Sequence, residues 1–381
     1  MQGIWLLVSK YNPRKVEGWN LKVNTPLIFK TIGSYQLLSL KFGLLMGKIK
    51  FILFVGCLFL LSKVSAQDPH FSQFFSSPLT LNPAFTGKFD GALRVMGNYR
   101  NQWPTINNAF TTATVAADFH ILDKTIASND TWGVGFVGYN DNSANGAVKF
   151  NYGSISTAYH KGLDEEGNHQ IGIGFQATYA NMLINTAQLK FEDQLTGAGF
   201  TGITSEVFNN ATLKTNYLDL NAGFLYNGST SDKNNFYFGL SLYHINRPKQ
   251  EFTGAVYNLN PRATMSAGGY FPLSPTSLFH ISGLQMFQGG ASETMIGGTY
   301  QFIADPAAFK PTSVYAGAWV RIKDAIIPYL GLEYDDFRLG VSYDYNTSSL
   351  KTASLNRGGI EISLIYINRP SSDKPLNCPK F

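Results

Sequence analysis

The chain has 381 residues, of which 44% are hydrophobic, 14% aromatic and only 14% charged, where a soluble domain carries about 25% charged residues. Its formal net charge of +5 belongs to the first 66 residues, which hold nine of the thirty Lys and Arg and one of the twenty-five Asp and Glu; the rest has 21 basic and 24 acidic groups, net −3. A basic balance therefore gives no support to a nucleic-acid partner, and with Cys57 and Cys378 as the two cysteines, one on each side of residue 66, an internal disulfide in the mature chain is excluded.

In chain order, Met46-Gly47-Lys48-Ile49-Lys50 forms a short basic stretch, residues 51–61 an apolar one, and Val64-Ser65-Ala66 offers the small residues that signal peptidase accepts. The sequence predicts a signal peptide over 46–66, cleaved between Ala66 and Gln67, with translation starting at Met46 and residues 1–45 an upstream extension outside the protein proper. The apolar stretch is too short for a spanning helix. Cys57, in Phe54-Val55-Gly56-Cys57, is a poor lipidation site because its apolar run continues past it. An arm (67–91) follows, then one domain (92–366) and a tail (367–381).

Residues 92–366 alternate apolar with polar or small residues in runs of eight to twelve. Strands are expected near 92–100, 110–119, 132–140, 149–160, 170–181, 217–227, 235–243, 263–272, 278–288, 293–303, 312–321, 325–334, 337–345 and 358–366. The cleanest is Phe337-Arg338-Leu339-Gly340-Val341-Ser342-Tyr343-Asp344-Tyr345, where apolar or aromatic residues hold every odd position. About nine to eleven tilted residues cross a bilayer as β-structure. The expectation is an all-β fold: a transmembrane antiparallel barrel of about 14 strands in the outer membrane, with a short N-terminal arm or plug and a C-terminal tail. An even strand number puts both chain ends on one side, expected to be periplasmic. The longest connections, 182–216 and 244–262, with 346–357, then fall on the outer side, and the shorter 227–234, 273–277 and 335–336 on the inner.

Tyr99, Phe119, Tyr139, Phe150, Tyr159, Tyr226, Tyr243, Phe271, Tyr300, Tyr315 and Tyr334 fall near strand ends and are expected as interfacial girdle residues. Alternation puts Arg321, Glu333, Arg338, Asp344 and Glu361 inside and Val314, Ala316, Ala318, Val320, Leu330, Leu332, Leu339, Val341, Ile360 and Leu364 outside. A Lys or Arg facing lipid near mid-membrane costs about 2–4 kcal/mol, so these charges are expected to face the lumen or sit near the interface. There they either fill and stiffen the interior, pairing across adjacent strands, or serve conduction or gating. Gly297-Gly298 is expected as an outward pair marking a bend or a close approach.

Chemical motifs are absent. His70, His120, His160, His169, His244 and His280 include no pair at metal-ligand spacing, there is no Gly-x-Ser-x-Gly elbow, and Gly87-Lys88 lacks the upstream glycine of a phosphate loop. No cofactor, metal or catalytic residue is expected, and a non-enzyme is favoured.

The most specific text is Gln67-Asp68-Pro69-His70-Phe71-Ser72-Gln73-Phe74, leading through Pro78-Leu79 to Leu81-Asn82-Pro83-Ala84-Phe85-Thr86-Gly87 and then to Tyr99-Arg100-Asn101-Gln102-Trp103-Pro104. With Gly297-Gly298-Thr299-Tyr300, Glu361-Ile362-Ser363-Leu364 and the terminal Cys378-Pro379-Lys380-Phe381, it strongly resembles the PorP/SprF family of type IX secretion system membrane proteins of Bacteroidota. The resemblance implies an outer-membrane barrel that helps export or surface-anchor cargo bearing a C-terminal sorting domain, gliding adhesins among them. It also implies contacts with periplasmic lipoprotein and ring components. Asp68, Pro69, His70, Phe71, Asn82, Pro83, Ala84, Gly87, Tyr99, Arg100 and Trp103 carry the signature. The arm is expected either to pack in the periplasmic mouth or lumen and present a docking surface, or to act as a passive plug. A general porin or uptake channel is the alternative function.

Overall fold

A computed structural model describes residues 68–369 apart from 107–108, 124, 209, 232–233, 253–254 and 305–311. The predicted signal peptide with Ala66 and Gln67, the upstream extension and most of the tail, with Cys378, lie outside the described residues. The described residues form one compact unit.

Fourteen antiparallel strands close into a barrel. They are β1 (Leu93–Gln102), β2 (Phe110–Ile121), β3 (Thr131–Ser143), β4 (Val148–Gly162), β5 (His169–Asn185), β6 (Thr212–Gly228), β7 (Asn235–Tyr243), β8 (Arg262–Ser274), β9 (Ser277–Gln288), β10 (Ala291–Ile303), β11 (Ser313–Arg321), β12 (Ala325–Tyr334), β13 (Phe337–Asn346) and β14 (Arg357–Asn368). Each pairs with its sequence neighbours, and β1 closes on β14 from Leu93↔Asn368 to Gln102↔Gly359. Closure leaves the barrel no open edge, as hydrocarbon surroundings require. Odd-to-even connections share one end, here the loop mouth, and even-to-odd connections the other, the turn mouth. Two small hairpins, Leu195–Thr196 with Gly199–Phe200 and Lys249–Phe252 with Ala255–Asn258, sit in the two longest loops.

The strand period of two separates the faces. Ile155, Ile173, Phe175, Leu218, Leu240, Ile296, Leu330 and Val341 are exposed on the outside, while Asn98, Thr112, Ser154, Gln176, Asp219, Ser266 and Ser342 are buried inside. A lipid-facing apolar band around a polar interior is what this arrangement suits. β5 and β6 run to 17 residues each, well past the expected 170–181 and 217–227. Their extra length projects beyond the apolar band at the loop mouth, and the outward face changes accordingly. Asn140, Asn151, Asn181 and Asn216 lie side by side across β3–β6, where Ile155, Tyr179 and Leu218 stood further down. Asn140 donates to Asn151 (2.6 Å) and Asn181 to Asn216 (2.5 Å). This amide row marks one edge of the band; Trp132, Tyr159 and Tyr226 mark the other.

Four expected girdle residues turn inward instead. Tyr139, Tyr243 and Tyr315 are buried, and Phe150 shares the inward parity of Ser154 and Ser156. Each inward tyrosine hydroxyl has a partner: Pro69 O, Leu79 O and Glu333. Of the glycine pair expected outside, Gly297 has inward parity, set between Ser282 and Trp319 of the flanking strands.

Candidate functional site: the arm-filled lumen

Residues 68–91 form a short-turned arm that threads the lumen. The fold follows from its prolines and small polar residues. Pro78 opens a four-residue helix, α1 (Pro78–Leu81), where a missing N–H costs nothing. Asn82 then caps the next turn, its Oδ1 accepting from Ala84 N at 2.8 Å. Apart from Thr80, every residue from 71 to 89 is buried. Phe74, Phe75, Leu79, Leu81, Ala84 and Phe85 join Leu284, Met295, Trp319, Ile327 and Tyr329 of the wall in the main apolar core. Phe75 stacks on Trp319 at 4.5 Å and meets Tyr329 edge-on at 5.3 Å. Burying the arm's five large apolar side chains in that core contributes on the order of 10 kcal/mol, an upper bound because the unfolded chain already buries some of this surface.

Three polar anchors fix the register. At the loop mouth the Asp68 carboxylate meets His244 Nε2 (2.7 Å) and Arg262 (3.2 Å), and accepts from Gln288 (3.0 Å). Asp219 Oδ2 holds the other His244 nitrogen at 2.9 Å. Burial opposes charge on His244, but the Asp219 and Asp68 carboxylates on its two ring nitrogens outweigh it and lift its pKa to about 9. Burial likewise opposes the Asp68 carboxylate, and Arg262 and His244 overcome this to hold its pKa well below the usual range.

The second anchor lies just below. His70 pairs with Glu293 at 2.7 Å and its carbonyl accepts from Arg100. Glu361 accepts from the backbone N–H groups of Ser72 (2.8 Å) and Gln73 (2.9 Å). Ser72 Oγ donates to Asp344 (2.8 Å) and accepts from Arg321 (2.5 Å), while Arg100 and Arg321 both hold Asp344, at 2.9 and 3.1 Å. Near the turn mouth, Asp118 accepts from Gly87 N (2.8 Å) and from Arg94 through both oxygens (2.9 and 2.8 Å). Gly87, at φ 71°, makes the turn there that L side chains rarely adopt.

Close passage of the arm needs a wall without side chains. A Cβ on Gly133 would lie 2.5 Å from Gly87 Cα, one on Gly174 2.5 Å from Ala84 N, and one on Gly223 inside the Asn82 side chain. Asn82 uses this room to donate to the carbonyls of Phe224 (3.0 Å) and Leu240 (3.1 Å).

The sequence-selected residues thus fall into distinct places. Asp68, Pro69, His70, Phe71, Asn82, Pro83, Ala84, Gly87 and Arg100 meet in the lumen. Tyr99 points outward, 44% exposed, and Trp103 follows β1 at φ 54°, its N donating to Gly358 O and its ring edge-on to Phe110. The five lumen charges form two groups. Arg338 pairs with Glu333 at 2.7 Å across adjacent strands. Arg321, Asp344 and Glu361 instead join Arg100 and the arm, bridging strands that are not neighbours. Sequence reasoning missed Ser72, Gln73, Arg94, Asp118, Asp219, His244, Arg262 and the inward glycines; inward parity of a charge or glycine among outward apolar residues was the available signal.

The arm offers little surface for docking, because its side chains are spent on the wall. The two ends of the described chain also lie at opposite mouths. Ala92 N bonds Asn368 O at the turn mouth, as an even strand number demands, but the arm carries Asp68 back up to the loop mouth. The expectation of both ends on one side holds for the barrel strands and fails for the arm.

Among solved structures the chain is similar to the toluene transporter TodX of Pseudomonas putida (9% identity, TM-score 0.43, covering 80% of this chain and 96% of that one). It is also similar to the toluene transporter TbuX of Ralstonia pickettii (8%, 0.40, 76% and 91%) and to a FadL homologue of Pseudomonas aeruginosa (10%, 0.41, 75% and 92%). No curated protein matches the chain significantly. A sequence model described as "Type IX secretion system membrane protein PorP/SprF" matches residues 63–366, from before the arm to within the last of the fourteen strands. The chain belongs to the PorP/SprF family of type IX secretion system membrane proteins.

Proposed function

We propose that this barrel is a non-enzymatic outer-membrane component of the type IX apparatus that supports export or surface anchoring of cargo bearing a C-terminal sorting domain. The turn mouth faces the periplasm, where lipoprotein and ring components dock, and the loop mouth faces outward, the arm's first residues reaching up to it. Family membership over residues 63–366 carries this reading. The filled lumen weighs against a porin or uptake channel, since no large solute passes a core in which Phe74, Phe75, Leu79 and Phe85 contact the wall. Removing the gene tests it directly. Cargo with the sorting domain is expected to accumulate in the periplasm while small-solute permeability of the outer membrane stays unchanged. Normal cargo display with reduced solute uptake would instead establish the channel.

A further inference from the structure

Outward faces at the loop mouth differ around the barrel. On β7, β9, β11, β12 and β13 the strands reach that mouth with Leu242, Phe287, Val320, Ile326 and Tyr345 exposed. On β3 to β6 they run on past the apolar band and turn polar. The asparagines of the amide row are paired neighbours on these four strands. One step above it, Asn142, Lys149, Leu183 and Lys214 form a second paired row that adds two cations. Four strands at about 4.8 Å spacing make a polar face about 14 Å wide, with the lysines about 10 Å apart. Both lysines are exposed, and neither has an ion-pair partner among the described residues.

One step below the amides lies an apolar notch. Gly138 and Gly153 pair there, and a Cβ on Gly153 would meet nothing within 4 Å. Val115 and Tyr179 stand on either side, 65% and 59% exposed, with Phe136 and Ile155 beneath. Glycine inside a strand often marks a place where another group comes close to the backbone. β4 alone carries the whole vertical series: Gly153, then Asn151, then Lys149.

That series follows the chemistry of a lipid standing upright beside the barrel: acyl chain, hydroxylated head, phosphate. The amides bond one another only in part. Asn142 donates to Asn140 (2.8 Å), Asn140 to Asn151 and Asn181 to Asn216, which leaves the NH2 groups of Asn151 and Asn216 with no acceptor among the described residues. Carboxamides suit hydroxyls, which both donate and accept, and lysines bind phosphate as point charges. A glycerophospholipid has one phosphate on a narrow head and would engage one lysine, leaving most of the row bare. Two joined sugar rings with a phosphate on each would span it.

We propose that the outward face of β3 to β6 binds an outer-leaflet lipid whose head is an acylated, phosphorylated disaccharide. Its phosphates meet Lys149 and Lys214, its sugar hydroxyls the asparagine row, and one acyl chain enters the notch at Gly138 and Gly153. The leaflet rests on the orientation proposed above, loop mouth outward; the binding itself does not.

The test is native mass spectrometry of the mature protein in detergent, titrated with diphosphoryl lipid A, its dephosphorylated form and phosphatidylglycerol. Lipid A should bind one per barrel, at least fivefold more tightly than either other lipid. Lys149→Glu combined with Lys214→Glu should weaken it at least tenfold, and Gly153→Leu, which fills the notch, at least threefold. Lys351→Glu, an exposed lysine in the last loop before β14, should leave it unchanged. Heat-modifiable gel mobility verifies that each variant is a folded barrel, and Asn151→Leu replaces Gly153→Leu if that one is not. Equal binding of the three lipids, binding unaltered in the double lysine variant, or a dimer of this chain that the variants dissociate would each overturn the proposal. Orientation is read separately on intact cells, where Ser205→Cys in a Cys378→Ser chain should react with an impermeant maleimide. No reaction would overturn the outward loop mouth and the leaflet assigned here, and leave the lipid titration to decide the site.

Discussion

Single residues hold the arm by interactions whose loss has distinct signatures. Arg94 and Asp118 are both buried, and removing one partner leaves an uncompensated charge, typically 3–5 kcal/mol. Arg94→Ala should therefore lower the denaturant midpoint sharply, whereas Arg94→Met combined with Asp118→Leu should recover much of the loss; equal effects of single and double variants would contradict the pairing. His244 gives a pH dependence. Its folded pKa of about 9 exceeds the ordinary 6.5, so its contribution is complete below 6.5 and lost as pH rises through 9. The depressed Asp68 acts in the opposite sense, contributing above 3.8 and failing only in stronger acid. The groups facing His244 are Asp68 on the arm and Asp219 on β6, with Arg262 on β8 beyond Asp68. A nitroxide at position 69 should be immobile between pH 4 and 6.5 and gain mobility towards pH 10, a transition absent from His244→Gln. A label equally rigid at pH 6 and pH 10 would remove the latch.

At the scale of elements, the arm behaves as part of the core rather than as a linker. Phe75→Ala deletes a ring stacked on Trp319 and should cost about 3–5 kcal/mol. Gly223→Val acts from the other partner, since its side chain would occupy the place of Asn82. It should leave the barrel inserted but render the arm cleavable by added protease; an arm still protected would show that the glycine groove is not needed. The sequence made the strands legible because alternation over nine or more residues has one physical meaning when one face must be apolar. It made the arm conspicuous but not its destination. Nothing local in Asp118 or Gly174 says that a segment over thirty residues upstream will pass against it. The aromatic positions were misjudged for a related reason. Proximity to a strand end suggested Tyr139 and Tyr243 for the membrane interface, whereas parity, which decides the face, had already placed them with Asp141 and Ser241 inside.

For the whole molecule, closure of β1 on β14 and the outer apolar band suit a hydrocarbon solvent, and the arm fills the interior. Strand number and order were readable from the sequence. The charge network was readable as inward but not as two separate groups, because Arg321 and Asp344 meet across a barrel whose curvature no linear pattern encodes. The most direct measurement is single-channel recording of the mature protein in planar bilayers, beside a variant lacking residues 68–86. The intact protein should show no steady conductance, and the deletion, once confirmed as an inserted barrel, should show discrete open steps. Stable porin-like conductance from the intact protein would contradict a lumen sealed by its own N-terminal arm.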